Sequence, residues 1–422
     1  MNSELGLVSS NTSFEQSNIK SIKLIDIQIF FLILMVGGLV FKENYIPSFL
    51  VIGFWILLAT TLILKIKKIE IKNIIVPLIV SILFLSISLL HNDEITAVFK
   101  NLFTFFVASL FIVVYSPKEI LNSFIKVITF LAIVSIPFFI LYFLVPNAFA
   151  PFKIIDSNGH VYKCWIIYVH MDTLKRNCGL FWEPGAFQSF LKLAILFEVS
   201  KKKQSLLTLA ILSIAVFSTF STTGYLAYFV IFILYFIKKV FCEKDKNRFL
   251  VPIVIVIAIA LLLLIFKDLI FTSDQNSVFG KVFTFFEYNE YSGGRSVSTS
   301  SSTRYFSIVK VFAEFIKKPL FGIGYKQLYI NTNQYIHGNF TCTFVNWLAM
   351  YGIVYGGILI FGYLRFSYLL FRKKIILTLL CFLSVFLLTM SENYATYSVF
   401  YIFPFLAFTK SSNLSFIHFY GQ

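Results

Sequence analysis

The sequence predicts an all-α, polytopic integral membrane protein that forms a single membrane domain over residues 1–422. Three observations lead to this fold class: the composition, the length of the apolar runs and the alternating charge of the loops between them. Hydrophobic residues make up 58% of the chain and charged residues 13%, and runs such as 74–90 and 251–266 exceed what a soluble core needs. We therefore expect about 12 transmembrane helices.

The candidate spans are apolar stretches of spanning or near-spanning length. In chain order they cover residues 25–41, 46–64, 74–90, 95–114, 127–145, 186–199, 206–220, 224–238, 250–266, 341–364, 375–390 and 395–409. The polar residues 1–23 carry no small-residue cleavage site after an apolar stretch, so we expect the first span to be retained as an anchor.

Basic residues cluster in alternate short loops, and this alternation predicts the orientation of the chain. The clusters lie at 65–72, 201–203, 238–248 and 372–374, whereas opposite loops such as 91–94 and 391–393 are sparse or acidic. By the positive-inside bias the basic loops are cytoplasmic, and so are both termini. The two long segments, 146–185 and 267–340, are then extracytoplasmic loops, and we expect both to carry short interfacial helices.

The net charge of +16 would suggest nucleic acid as a partner of a soluble protein. Here the cytoplasmic basic clusters are explained by orientation and by attraction to anionic membrane lipids, so we expect no nucleic-acid partner. Positive charge outside runs against the insertion bias, and an anionic ligand at the outer membrane surface would explain it. The basic residues of the two long loops are Lys153, Lys163, Lys175, Arg176, Lys267, Lys281, Arg295, Arg304, Lys310, Lys317, Lys318 and Lys326.

The cysteines and glycines give no sign of a cofactor. The five cysteines form no C-x-x-C pair and have no histidine at metal-ligand spacing, so we expect no structural metal. Cys164 and Cys178 share the first long loop, where they form either a disulfide or two free buried thiols. The sequence carries neither a nucleotide-binding glycine motif nor a G-x-S-x-G elbow, and cytosolic ATP chemistry is unsupported.

The second long loop divides into a polar part and a helical part. Residues 292–303 are rich in Ser and Gly and are typical of a loop. From about residue 303 to 317, polar residues recur at intervals of four and three, which predicts an amphipathic helix in the outer interface. Pro319 ends this helix, and residues 321–325 predict a tight turn with glycine at positive φ. The loop ends at His337-Gly-Asn339, just before the next span.

The order of these motifs resembles that of the O-antigen polymerase and ligase superfamily. The resemblance rests on Arg176 followed by Glu183-Pro-Gly at the head of a span, and on a second loop with an Arg, a helix, Pro-Leu-Phe-Gly-Ile-Gly and His337-x-Asn339. It covers residues 170–356 in motif and the whole chain in topology. It implies action on undecaprenyl-diphosphate-linked glycans at the outer face of the bacterial inner membrane, without metal or nucleotide. An Arg-x₁₀-Gly pattern found in some polymerases is absent from both loops.

Transfer of a glycan from a lipid diphosphate requires stabilisation of the leaving diphosphate, and without a metal this falls to fixed cations. Arg176 and Arg304 are the first candidates, with Arg295 and Lys310 as further ones. The alternative for each Arg is a contact with a lipid headgroup. Because the Arg-x₁₀-Gly pattern is absent, the choice of Arg in the second loop stays open.

The acceptor sugar hydroxyl must lose a proton as it attacks, which requires a base. His337 fits by its intrinsic titration range and by its position beside a span. Glu183 is the rival base, and we prefer it as an orienting partner for the cation or the acceptor hydroxyl; pure helix capping is its alternative. Tyr325 and Trp182 are candidates for stacking on sugars, with interfacial anchoring as the alternative. Asn339 completes the predicted substrate-binding set.

We therefore expect a membrane glycosyltransferase that polymerises lipid-linked oligosaccharide repeat units for O-antigen, capsule or exopolysaccharide. The first alternative is a ligase that transfers glycan to a lipid A core, and the second is a non-enzymatic flippase or exporter. Transporters usually carry ionisable residues deep within spans, whereas here charge gathers in the external loops, which favours an enzyme. Chain-length regulator and flippase proteins are further expected partners. The sugar, its linkage and the oligomeric state stay open.

Overall fold

The computed structural model describes residues 22–37, 46–155, 159, 161–165, 167–171, 176–242, 300–336, 340–371 and 374–409. These residues form 13 α-helices and one small β-sheet. The helices are α1 (Leu24–Gly37), α2 (Ser48–Ile63), α3 (Ile71–Leu90), α4 (Ile95–Val114), α5 (Pro117–Leu144), α6 (Pro184–Ser200), α7 (Leu206–Ser218), α8 (Thr222–Ile237), α9 (Ser300–Lys317), α10 (Tyr325–Ile336), α11 (Thr343–Leu370), α12 (Ile375–Thr389) and α13 (Ser398–Leu406).

The apolar stretches of the sequence coincide with helices throughout the described residues. The one predicted stretch without a counterpart, 250–266, lies outside those residues. Within the described part of the chain, α3, α4, α5 and α11 are long and apolar enough to cross a membrane, and α1, α2, α7 and α12 are shorter apolar helices. The mostly helical, membrane-integral fold is therefore confirmed, while the number of 12 spans stays a prediction.

Helix α6 forms the centre of the bundle, because every one of its residues is buried. It packs against α5, α7, α8 and α12. By contrast, α2 and α4 expose large apolar side chains such as Leu57 and Phe99, which suits a surface that faces lipid. The residue that begins α6 thus lies at the end of the most enclosed helix of the protein.

Basic side chains gather at one end of the bundle. Lys201 pairs with Glu198 at 2.6 Å at the end of α6, and Lys238 Nζ donates to the Val199 carbonyl at 2.6 Å. Near the start of α1, Asp26 pairs with Lys126 of α5 at 2.6 Å. The described loops that follow α3, α5, α7 and α12 lie at the opposite end, where the candidate site lies.

The first long loop differs from the expectation of short interfacial helices. After a 3₁₀ turn (Pro146–Phe152) it forms an antiparallel sheet of β1 (Lys153–Ile155), β2 (Val161–Trp165) and β3 (Tyr168–Met171) in the order β1-β2-β3. The sequence of β2 alternates between buried and half-buried side chains, as in a strand with one covered face. The all-α prediction is wrong for this segment, because an alternation of five residues is a weak signal beside much longer apolar runs.

In the second long loop, α9 covers the residues for which the sequence predicts an amphipathic helix, and α10 is an additional helix. Gly322 and Gly324 of the intervening turn have φ of +68° and +79°. A Cβ at Gly322 would lie 2.5 Å from the Met350 backbone, so the turn needs glycine both for its conformation and for its approach to α11.

That approach occurs where α11 is broken at Gly352, which has φ +71° and ψ −177°. The break frees backbone groups that the turn then satisfies. The Gly324 N–H donates to the Met350 carbonyl at 2.9 Å, and the Ile353 N–H donates to the Pro319 carbonyl at 2.8 Å. An interrupted helix at membrane depth is stable only if its free polar groups find such partners. The apolar run 341–364 carries no sign of this break.

Gly352→Ala should therefore destabilise the protein by several kcal/mol, because the φ/ψ region is essentially restricted to glycine and the new Cβ would collide with the Leu320 carbonyl. The measurement is thermal unfolding of the purified protein in detergent. Gly53→Ala in α2 is the matched control, since no heavy atom lies within 4 Å of a Cβ there. It should leave stability unchanged or raise it slightly. Equal melting temperatures for the two variants would contradict this role of the break.

Candidate functional site

Glu183 occupies the N-cap of α6 with an extended backbone, φ −151° and ψ 159°, and Pro184 is the first helical residue. Its side chain makes no capping hydrogen bond and is partly exposed. The carboxylate therefore lies at the mouth of the bundle, where the helix dipole favours negative charge. This position is compatible with the predicted contact to a substrate or a cation.

Arg176 lies in the segment that leads into α6, and its neighbour Asn177 fixes that segment. The fully buried Asn177 side chain donates from Nδ2 to the hydroxyls of Ser135 at 3.1 Å and Ser218 at 2.8 Å, and its Oδ1 accepts the Gly179 N–H at 2.9 Å. These bonds tie the segment to α5 and α7. Sequence reasoning missed Asn177, although an amide directly after a candidate Arg in an external motif was a usable signal.

The charges of Arg176 and Glu183 both act on the Cys178 thiol. Burial raises the pKa of the Cys178 thiol to about 12; the carboxylate of Glu183 raises it further, and the guanidinium of Arg176 lowers it. Both groups thus lie within electrostatic range of Cys178. The backbone carbonyl of Arg176 also accepts a hydrogen bond from His170 Nδ1 at 3.2 Å. The segment that leads into α6 thus carries both this candidate cation and this candidate carboxylate.

Among the cysteines whose side chains are described, Cys164, Cys178, Cys342 and Cys381 are all buried thiols outside any disulfide. Of the two alternatives for the first loop, the structure therefore has two buried thiols, and Cys164 and Cys178 form no disulfide with each other. Burial raises the pKa of the Cys164 thiol to about 11, close to the value for Cys178.

Cys164 and Cys178 should therefore resist alkylation by a maleimide at pH 8 in the folded protein, because the reactive thiolate is scarce and enclosed. After denaturation without reductant, both should react fully. The measurement is mass spectrometry of the labelled peptides. Labelling that appears only after reduction would instead establish a disulfide.

The loop between α12 and α13, residues 390–397, joins this region, and sequence reasoning did not assign it a role. The ring of Tyr397 packs edge to face on the ring of Trp182, with centroids 5.8 Å apart, and both side chains are partly exposed. The hydroxyl of Ser189, in the second turn of α6, lies 2.9 Å from the hydroxyl of Ser391. The dense polar and aromatic run Ser-Glu-Asn-Tyr-Ala-Thr-Tyr between two spans was the available signal.

Tyr325 is the first residue of α10 and lies at the same end of the bundle. Its N–H donates to Asp93 Oδ1 at 3.3 Å, and its ring neighbours those of Tyr329 and Phe340, with the Phe340 centroid at 5.9 Å. His91 Nε2 donates to the Phe321 carbonyl at 3.1 Å. The short acidic loop after α3 therefore holds the second long loop in place.

The remaining predicted residues belong to the second long loop. Lys310 lies on α9 and is partly exposed. Arg304 lies in the first part of α9, where the structure describes the backbone alone. Arg295, His337 and Asn339 lie outside the described residues. Their roles stay predictions.

Comparison with known families places these features in context. Residues 207–361 match the family model described as O-antigen ligase. The predicted resemblance to the O-antigen polymerase and ligase superfamily is confirmed. No curated protein matches the chain at a significant level.

The match to this superfamily begins in α7 and ends in α11, so it contains the second long loop with Arg304, Lys310, Tyr325 and His337. The segment with Arg176, Trp182 and Glu183 precedes it. The superfamily comprises glycosyltransferase-like membrane enzymes, and its members take a lipid-linked glycan in a membrane as substrate. The candidate residues thus come both from inside and from outside the matched region.

Proposed function

We propose that the protein polymerises undecaprenyl-diphosphate-linked oligosaccharide repeat units by glycosyl transfer at the outer face of the bacterial inner membrane. The observation that carries this proposal is the superfamily match over residues 207–361. Support comes from the start of α6, where Glu183 is the N-cap and the bonds of Asn177 fix the segment that carries Arg176.

In the proposed reaction the growing chain is the donor and a second lipid-linked repeat unit is the acceptor. The acceptor hydroxyl attacks the anomeric carbon of the donor, and the bond from that carbon to the diphosphate oxygen breaks. The diphosphate leaves with the electron pair, and Arg176 stabilises its charge together with a cation of the second loop, Arg304, Arg295 or Lys310. His337 takes the hydroxyl proton, and Glu183 orients the hydroxyl or the cation.

The closest rival is an O-antigen ligase, and the matched family, O-antigen ligase, favours it. A ligase uses the same donor chemistry and transfers the finished glycan to a lipid A core. The two functions therefore differ in the acceptor alone, and the donor site proposed above serves either.

A deletion strain distinguishes the two functions. Loss of a polymerase leaves a single repeat unit on the lipid A core, whereas loss of a ligase leaves the core without glycan. We expect the single repeat unit, as resolved by gel electrophoresis of the surface glycan. The purified protein should also lengthen lipid-linked repeat units in the absence of any core acceptor. A bare core together with no lengthening in vitro would overturn the polymerase in favour of the ligase.

A further inference from the structure

The α12–α13 loop is fixed on both helices that frame the site. Ser189 ties it to α6, since the Ser189 hydroxyl meets Ser391 at 2.9 Å and donates to the Leu388 carbonyl at 3.1 Å. Thr343 is the first residue of α11, which follows the predicted His337 segment, and it ties the loop to that helix. The Thr343 hydroxyl donates to the Glu392 carbonyl at 3.0 Å and accepts the Tyr394 N–H at 2.9 Å.

Further bonds make the loop rigid. Asn393 Oδ1 accepts the Ala395 N–H at 3.1 Å, as in a local turn. The buried Tyr394 ring stacks on Phe400 at 4.1 Å, and the Thr104 hydroxyl of α4 donates to the Thr396 carbonyl at 3.3 Å. Side chains held by such a framework keep one position, which a binding site requires.

Glu392 and Tyr397 are among the side chains of this framed loop that remain partly exposed, and the ring of Tyr397 packs on Trp182. Burial raises the pKa of Tyr394 well above its usual value, and the carboxylates of Glu392 and Glu183 both add to this rise. Both carboxylates therefore lie within electrostatic range of the Tyr394 hydroxyl. The wall combines two aromatic rings with negative charge.

We propose that the α12–α13 loop forms one wall of the acceptor-sugar site, in which Tyr397 with Trp182 packs against a pyranose ring and Glu392 accepts hydrogen bonds from its hydroxyls. This inference rests on the proposed function and adds residues to its site. A pyranose suits the wall, because its weakly positive C–H face packs on the negative face of an aromatic ring and its hydroxyls donate to a carboxylate.

Charge assigns this wall to the acceptor sugar and not to the diphosphate. The carboxylate of Glu392 repels a diphosphate, whereas the cation of Arg176 attracts it. A neutral acceptor sugar placed on the wall would also bring its hydroxyl to Glu183, the residue predicted to orient it. The loop thus links the α6 side of the site to the segment that precedes α11.

The test uses an acceptor that cannot serve as a donor: a repeat-unit oligosaccharide freed of its lipid diphosphate. With lipid-linked donor held constant, the initial rate of transfer to this oligosaccharide is measured against its concentration. Tyr397→Ala should raise the acceptor KM about 5- to 10-fold, and Glu392→Gln about tenfold. The kcat and the donor KM should change by less than about twofold, because neither residue contacts the diphosphate.

Conservative and distant variants serve as controls. Tyr397→Phe keeps the ring and should restore the acceptor KM, and Tyr397→Leu replaces the Ala variant if that variant does not fold. Tyr368→Ala in α11 and Glu119→Gln at the start of α5 make matched changes at exposed residues away from the loop, and both should behave as the wild type. An unchanged acceptor KM in Tyr397→Ala and Glu392→Gln, with active wild type, would overturn the acceptor wall and leave the polymerase proposal intact.

Binding of the same oligosaccharide, followed by saturation-transfer NMR, separates the two proposals. Binding that depends on Tyr397 and Glu392 in a wild-type protein that transfers nothing would support the sugar wall while the polymerase proposal fails. No binding to the wild type, together with no transfer, would overturn the wall independently of the reaction.

Discussion

Replacing His337 by Ala should lower the rate of polymerisation by about 10²- to 10⁴-fold while leaving donor binding nearly unchanged. The reason is that the acceptor hydroxyl is a weak nucleophile until a base takes its proton. An unperturbed histidine titrates near pH 6.5, at about the pH where the base must be neutral. The wild-type rate should therefore fall as the pH drops through this range, because the protonated imidazole cannot accept a proton.

The measurement is polymerisation of purified lipid-linked repeat units across pH by the wild type, His337→Ala and Glu183→Gln. Glu183→Gln should weaken the activity yet keep the pH dependence, since it removes an orienting group and leaves the titrating one. His91→Gln is a matched control, because His91 lies at the same end of the bundle and bonds to a backbone carbonyl. It should keep the wild-type pH profile. If Glu183→Gln abolishes the pH dependence instead, the base is Glu183.

Arg176→Lys should lose most activity even though it keeps the charge. A guanidinium binds a diphosphate through paired planar hydrogen bonds that an ammonium cannot reproduce. Losing one such contact in the transition state costs on the order of 2–4 kcal/mol, or about 30- to 1000-fold in rate. The backbone of the segment should stay in place, because the bonds of Asn177 and the one from His170 to the Arg176 carbonyl do not depend on the guanidinium.

The activity of Arg176→Lys is compared with that of Arg365→Lys at equal protein level. Arg365 donates from Nε to the Ala407 carbonyl at 2.9 Å near the basic end of the bundle, and an ammonium can make that single bond. The control should remain close to wild type. Near-normal polymer from Arg176→Lys would show that this residue contacts lipid headgroups and does not bind the diphosphate.

The sequence by itself determined the helical elements of this protein and the order of its motifs. Apolar runs long enough for a bilayer have few stable alternatives to a helix, so α4 (Ile95–Val114) has the predicted bounds. The glycines of the turn at residues 321–325 were predictable in the same way, since positive φ is a local property. The sequence also singled out Arg176 and Glu183, because charged residues at the end of an apolar run are conspicuous.

The tertiary structure alone decided which of these segments meet. The sheet of the first loop depends on pairing between strands, and the break at Gly352 is stable because a distant turn bonds to it. The α12–α13 loop joins Trp182 and Thr343 through contacts between residues that lie at least 49 positions apart along the chain. Such contacts come from packing between helices, and a single sequence carries no periodic signal for them.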